Sequence, residues 1–111
     1  ESLVEWSVDA VVAAQAADAV VCKPIVLGGP DATYETAMRA RDAGLDVVVT
    51  TTVDGVVART GAVHVAAAIP GVEACGLATA DFLAEDLGPD PATVADGAIR
   101  VPQDPGVGVE L

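Results

Sequence analysis

Lysine is almost missing from this 111-residue chain: Lys23 is the only one, against four Arg and seventeen Asp and Glu. The net charge of −12 and pI near 4.1 argue against nucleic acid as a partner, because binding its phosphates needs clustered Lys and Arg. They argue equally against adhesion to an anionic membrane. Aromatics are scarce, with one each of Trp, Tyr and Phe, which suits a pocket rich in aromatic anchors poorly. Cys22 and Cys75 form no CxxC or Cys/His cluster. Each lies in an apolar segment, which predicts buried free thiols. No charged-then-apolar leader opens the sequence, and no run of about 18 apolar residues follows. The cytoplasm is therefore the default compartment.

What is present is a chain 52% apolar, rich in Ala and Val, with the length of one domain or less. Small aliphatic side chains suit close packing of helices on a sheet. The acids are spread along the chain, which argues against a disordered acidic tail. Many carboxylates with little lysine resemble the surfaces of proteins from salt-loving cytoplasms, and such a fold is expected to weaken in dilute salt. The first residue is Glu1, not Met, and the opening reads as a piece of a larger protein.

The pattern along the chain alternates. Residues 7–17 read as a helix capped by Ser7. Residues 18–23 read as a buried strand, closed by Pro24 and by Gly28-Gly29-Pro30. A helix follows, with Asp31 or Thr33 as its cap and Ala43-Gly44 as its stop. Residues 45–51, rich in β-branched side chains, read as a second strand buried on both faces. A helix is predicted over 56–68, a third strand over 72–77, a short helix over 81–87, and an extended piece over 98–101. Helix and strand in turn, with short connections, predict a parallel α/β sheet. Lys23, Thr50 and Leu77 recur at intervals of 27 residues. That is near the roughly 30 of one unit in an eight-stranded β/α barrel. Three units cannot close such a barrel, and their strand edges would lie open. An open Rossmann-like sheet competes, but no GxGxxG follows any strand.

Ligands of parallel α/β folds bind at the C-terminal ends of strands. One mouth is thus expected to gather Lys23, residues 50–54 and residues 76–79. Lys23 is the catalytic candidate: an ammonium there can stabilise an oxyanion or exchange a proton. The plain alternative is a strand-end lysine paired with a carboxylate. Gly28 and Gly29 can offer backbone N–H groups to an anion, or simply turn the chain. Thr50 and Thr51 can donate hydroxyls, or serve only as good strand formers. Asp54 can face the mouth, or cap the next helix. His64, far from other ligands in sequence, reads as structural, and Arg59 as a solvated or helix-pairing residue. No metal site can be assembled from these residues.

Several runs together resemble the enolase superfamily, in its muconate-lactonizing and o-succinylbenzoate synthase branch. Asp18-Ala-Val-Val-Cys-Lys23-Pro24 through Gly28-Gly29 is similar to the sixth-strand segment. Thr50-Thr51-Thr52-Val53-Asp54-Gly55 is similar to the seventh-strand end, and His64-Val-Ala-Ala-Ala to the helix after it. Cys75-Gly76-Leu77-Ala78-Thr79 with Asp86-Leu87 resembles the eighth-strand region. Asp96-Gly97 through Pro102, then Pro105-Gly106-Val-Gly108-Val-Glu110, resembles the tail. Glu1-Ser2-Leu3 resembles the end of the fifth strand, one residue past a metal-ligand Asp.

The resemblance implies the C-terminal portion, about strands six to eight, of a TIM-type barrel over residues 1–97. A tail over 98–111 would return toward a capping domain that lies outside this chain. It implies an Mg²⁺-dependent enzyme that removes a proton next to a carboxylate, with the metal ligands outside this chain. In the synthase branch water is then eliminated, giving o-succinylbenzoate for menaquinone synthesis. Lys23 would be the lysine on the far face of a small carboxylate substrate. Asp54 stands where relatives carry Glu, and Ala78-Thr79-Ala80 stands near the Asp-x-Asp of dipeptide epimerases. The leading expectation is part of an o-succinylbenzoate synthase that does not turn over alone. A muconate cycloisomerase or N-acylamino-acid racemase is the runner-up, and a non-catalytic fragment or assembly partner the third. A missing N-terminal part or a homo-oligomeric partner is expected to cover the open edges.

Overall fold

The computed structural model describes Leu3 and residues 7–111; the match at Glu1-Ser2 lies outside the described residues. Helix α1 spans Val8–Ala14, and the Ser7 hydroxyl accepts the Ala10 N–H at 3.2 Å, as its capping chemistry predicts. It stops earlier than 17 because Gln15 turns left-handed, at φ 50°. The Gln15 and Ala16 N–H groups then close on Val12 and Val11 carbonyls, which frees the chain to enter the sheet.

Strand β1 (Ala19–Cys22) pairs in parallel with β2 (Asp46–Val49), and Val20 stands beside Val47 and Cys22 beside Val49. Between them lie a single helical turn, α2 (Pro24–Leu27), and helix α3 (Pro30–Asp42). Proline stands first in both, where its fixed φ suits a helix start and its missing N–H costs nothing. The expected cap of α3 by Asp31 or Thr33 does not form. Gly29 holds the cap position, and the Thr33 hydroxyl instead donates back to the Gly29 carbonyl at 2.7 Å. Helix α4 spans Val56–Ala68, with the predicted bounds.

The core lies between the sheet and helices α3 and α4. Val20, Cys22, Val47 and Val49 are fully buried on one face of the sheet. They join Ala37 and Ala40 of α3, and Ala62, Val63, Val65 and Ala66 of α4. A valine buried this way contributes on the order of 1.5 kcal/mol or more. The alternate residues Ala19, Val21 and Val48 are only half-buried. The other face of the sheet is thus left largely without cover among the described residues. Leu3, itself buried, extends the pairing on the far side of β1 by donating its N–H to Val21 O at 3.1 Å.

The third strand expected over 72–77 is not continuous. Glu73 N donates to Val47 O and Gly76 N to Val49 O, both at 3.0 Å. Three residues on one side therefore span two on the other, so the segment bulges. Only the Thr50–Gly76 pair keeps regular parallel geometry. The helix expected over 81–87 shrinks to a 3₁₀ turn at Ala80–Phe82. The extended piece near 98–101 belongs to a hairpin, β3 (Val94–Ala95) with β4 (Ala98–Ile99), which runs across the 97/98 boundary drawn from sequence. Asp96 and Gly97 both take positive φ, as a two-residue hairpin turn requires.

Candidate functional site at the strand ends

Lys23 follows the last residue of β1, and Thr50 the last of β2. Their neighbours Cys22 and Val49 are paired, and Thr50 N donates to Cys22 O at 3.0 Å. Lys23 and Thr50 therefore stand side by side at the same end of a parallel sheet. Residue alternation puts both on the half-buried face, with Val21 and Val48, opposite the valines under the helices. Gly76 completes the row. A Cβ there would come within 2.9 Å of Thr50 Cγ2, so the close approach requires glycine. Among the described residues no carboxylate forms an ion pair with Lys23. The paired-lysine alternative is thus absent from the described part. The Thr50 hydroxyl is buried and meets no hydrogen-bond partner among the described residues. A dry hydroxyl of this kind costs about 1–3 kcal/mol.

Other expected members of the mouth stand elsewhere. Thr51 alternates to the opposite face and is buried; its hydroxyl lies 2.9 Å from that of Thr79. It pins the end of β2 to the segment after Gly76. Asp54 is buried at 4% exposure, with its carboxylate accepting the Thr52 hydroxyl. It does not cap α4, because Gly55 occupies that position. The Gly28 and Gly29 N–H groups both point to the Pro24 carbonyl, so neither is free to meet an anion. At φ 100° and 120° these glycines make the turn between α2 and α3.

Arg59 departs furthest from expectation. It is neither solvated nor merely paired along its helix, but 3% exposed and held from three sides. Nη2 donates to Asp86 Oδ2 at 2.9 Å and to Asp90 Oδ2 at 3.0 Å, and Nη1 to the Asp54 carbonyl at 2.8 Å. Burial alone would lower its pKa; hydrogen bonds and charge from Asp86 and Asp90 outweigh that and raise it. Asp86 also accepts the Val56 N–H at 2.7 Å and the Leu87 N–H at 2.8 Å. It thus caps α4 from 30 residues further along the chain. The Val56 bond holds its carboxyl below the usual range against the opposing effect of desolvation, with help from Leu87 and Arg59. The one available signal was a lone cation inside an otherwise apolar helix.

His64 is structural, as its isolation implied: Nε2 lies 3.1 Å from the Val107 carbonyl and ties the tail to α4. A carbonyl only accepts, so Nε2 carries the hydrogen. Both cysteines are free, but Cys75 is only half-buried, and its thiol donates to the Glu73 carbonyl. Cys22 is fully buried, and desolvation pushes its thiol up to about 11. Among the described residues no group of three His, Cys, Asp or Glu could hold a metal ion. No described helix is long and apolar enough to cross a membrane.

Parallel strands linked through helices, with a lysine, a threonine and a glycine aligned at one end, fit one part of a β/α barrel. Residues 4–111 match the family described as Enolase C-terminal domain-like. The chain belongs to that family. Within it, the relatives place the chain in the muconate-lactonizing and o-succinylbenzoate synthase branch of the enolase superfamily. It is 40% identical over 93 residues to an o-succinylbenzoate synthase of Mycobacterium tuberculosis, covering 83% of this chain and 27% of that protein. It is 32% identical over 97 residues to muconate cycloisomerase 1 of Rhodococcus opacus, covering 86% and 26%. Among solved structures, muconate lactonizing enzyme from Pseudomonas putida superposes on all of this chain and 31% of its own, with TM-score 0.87 and 27% identity. N-succinyl Arg/Lys racemase from Bacillus cereus superposes on 94% of this chain and 28% of its own, with TM-score 0.85 and 26% identity. The chain therefore spans between a quarter and a third of the length of these relatives, and it corresponds to the C-terminal part of the barrel.

Proposed function

We propose that the protein containing this chain is an o-succinylbenzoate synthase, with Lys23 as its catalytic residue in this part of the barrel. The observation that carries the reading is the position of Lys23. It ends a parallel strand beside Thr50, on the half-buried face, with no carboxylate partner among the described residues. An ammonium so placed stabilises the anion left when a proton is removed next to a substrate carboxylate. Loss of the substrate hydroxyl then completes the elimination of water. Thr50 offers a hydroxyl to the same substrate, whereas Thr51, Asp54, Gly28 and Gly29 make their hydrogen bonds within the fold. Higher identity to the synthases than to the muconate enzyme favours this substrate.

Superfamily members use Mg²⁺, which polarises the substrate carboxylate. The described residues do not fit a metal site, so the ligands fall to the remainder of the protein, together with the base that takes the proton. The chain alone is then inactive, and its uncovered sheet face is closed by that remainder.

Assay of the full-length protein with 2-succinyl-6-hydroxy-2,4-cyclohexadiene-1-carboxylate tests the reading. Turnover is expected, and Lys23→Ala is expected to lower kcat by about 10²-fold or more with the fold intact by circular dichroism. Inactivity there, with turnover of muconate or N-acylamino acids, would instead favour the second reading, a cycloisomerase or racemase. That reading draws on the superposition over the whole chain on a muconate lactonizing enzyme. Normal rates in Lys23→Ala would remove the role given to this lysine.

A further inference from the structure

The buried guanidinium of Arg59 lies outside the row of strand-end residues, yet it is bonded to the segment that leaves that row. The run from Thr50 to Asp54 leads out of β2 and into α4. Its far end is held by Arg59 Nη1 at the Asp54 carbonyl, while the Asp54 carboxylate holds the Thr52 hydroxyl. The other side of the guanidinium grips the loop that follows the bulged 72–77 segment. Nη2 reaches Asp86 and Asp90, and Nε reaches Asp90 Oδ2 at 3.2 Å. Both acids are themselves fixed. Asp86 takes the Val56 and Leu87 N–H groups, and Asp90 takes the Ala92 N–H at 2.8 Å. Their side chains are 19% and 18% exposed. Asp86 also places a negative charge at the N-terminus of the 13-residue helix α4, where the helix dipole favours it. One cation thus connects two loops that leave the sheet at the same end.

We infer that Arg59 is a positioning residue: it sets the placement of Thr50 against Lys23 by locking the Thr50–Asp54 segment to the Asp86–Asp90 loop. The inference rests on the proposed lyase reading for its effect on rate, and on the hydrogen bonds alone for its effect on structure. A purely structural arginine would lower the melting temperature without changing turnover per folded enzyme. A positioning arginine changes turnover well below the melting temperature, because small displacements of reacting groups are costly.

The experiment compares the full-length enzyme with Arg59→Met, Arg59→Lys and Asp86→Asn, at a temperature where circular dichroism shows each folded. Steady-state kinetics are read beside amide hydrogen exchange at Val56, Leu87 and Val20. Arg59→Met is expected to lower kcat by about 10-fold to 10²-fold with a smaller change in KM. Exchange at Val56 and Leu87 should quicken, while Val20 in β1 stays protected. Arg59→Lys keeps the charge but not the fork, so it should recover only part of the rate. Asp86→Asn keeps an acceptor for Val56 N–H, so it should fall between the two and serves if Arg59→Met does not fold. Unchanged kcat in a folded variant overturns the positioning role, and unchanged exchange at Val56 and Leu87 overturns the clamp. If the wild type turns over none of the superfamily substrates, the lyase reading fails, and exchange still decides the clamp.

Discussion

Residues 8–77 and residues 78–111 are held in place by different forces. The first region carries almost the whole described core: valines of both strands pack under alanines and valines of α3 and α4. The second contributes Ala92 to the buried core and leaves Phe82, Leu87 and Val94 exposed. Polar pins hold it instead: Arg59 to Asp86 and Asp90, Thr51 to Thr79, and His64 to the Val107 carbonyl. Close backbone approach adds to them. A Cβ on Gly88 would meet Glu110 O at 2.5 Å, and one on Gly108 would meet Pro102 Cβ at 2.6 Å. Apolar packing is non-directional and tolerates error, whereas directed bonds fix a loop only while each partner is present. The ends of the strands therefore rest on a robust layer but take their detailed shape from a fragile one.

The sharpest break in the first region is Val47→Asp. Val47 is fully buried beside Val20, so an unpaired carboxylate there should cost more than about 4 kcal/mol. Denaturant unfolding of the full-length protein is expected to show loss of the cooperative transition, not a local change. A retained midpoint would show that the sheet is not the core of this region.

Alkali should reach the same region more gently. The Cys22 thiol titrates near 11 in the fold, against an ordinary 9.0. A raised folded value contributes stability that is complete below the unfolded pKa and is lost as pH climbs through the folded one. The window is thus about pH 9 to 11, and the loss is about 2–3 kcal/mol. Melts across that range should flatten in Cys22→Ala; an identical slope in both proteins would remove the assignment.

Acid should act on the second region, with the smallest global effect. Asp86 is held below its ordinary 3.8, so its contribution is present above that value and fades as pH falls through the depressed one. Protection of Val56 and Leu87, relative to the intrinsic exchange rate at each pH, is expected to fall below about pH 4 before Val20 loses protection. Simultaneous loss at all three amides would show that the two regions do not separate.

The first region was the more legible. β-branched runs before Lys23 and Thr50, and a 13-residue apolar pattern ahead of Pro70, predicted β1, β2 and α4 with ends accurate to a residue or two. The broken third strand escaped because a bulge leaves the hydrophobic run unchanged while altering the bonds. The hairpin turn at Asp96-Gly97 was readable, since that dipeptide favours positive φ, but its flanking strands are only two residues each. Thr51 and Thr50 are chemically the same in a list of residues. Alternation across the sheet sends one hydroxyl inward to Thr79 and the other to the row with Lys23.

The sequence by itself determined the alternation of helix and strand, the acidic and lysine-poor surface, and the placement of Lys23 and Thr50 at strand ends, because local periodicity and turn residues act over a few positions. Tertiary structure alone decided which groups Arg59 joins. Asp86 and Asp90 lie 27 and 31 residues beyond Arg59, and a charge chooses its partner by proximity and burial, which no local pattern records.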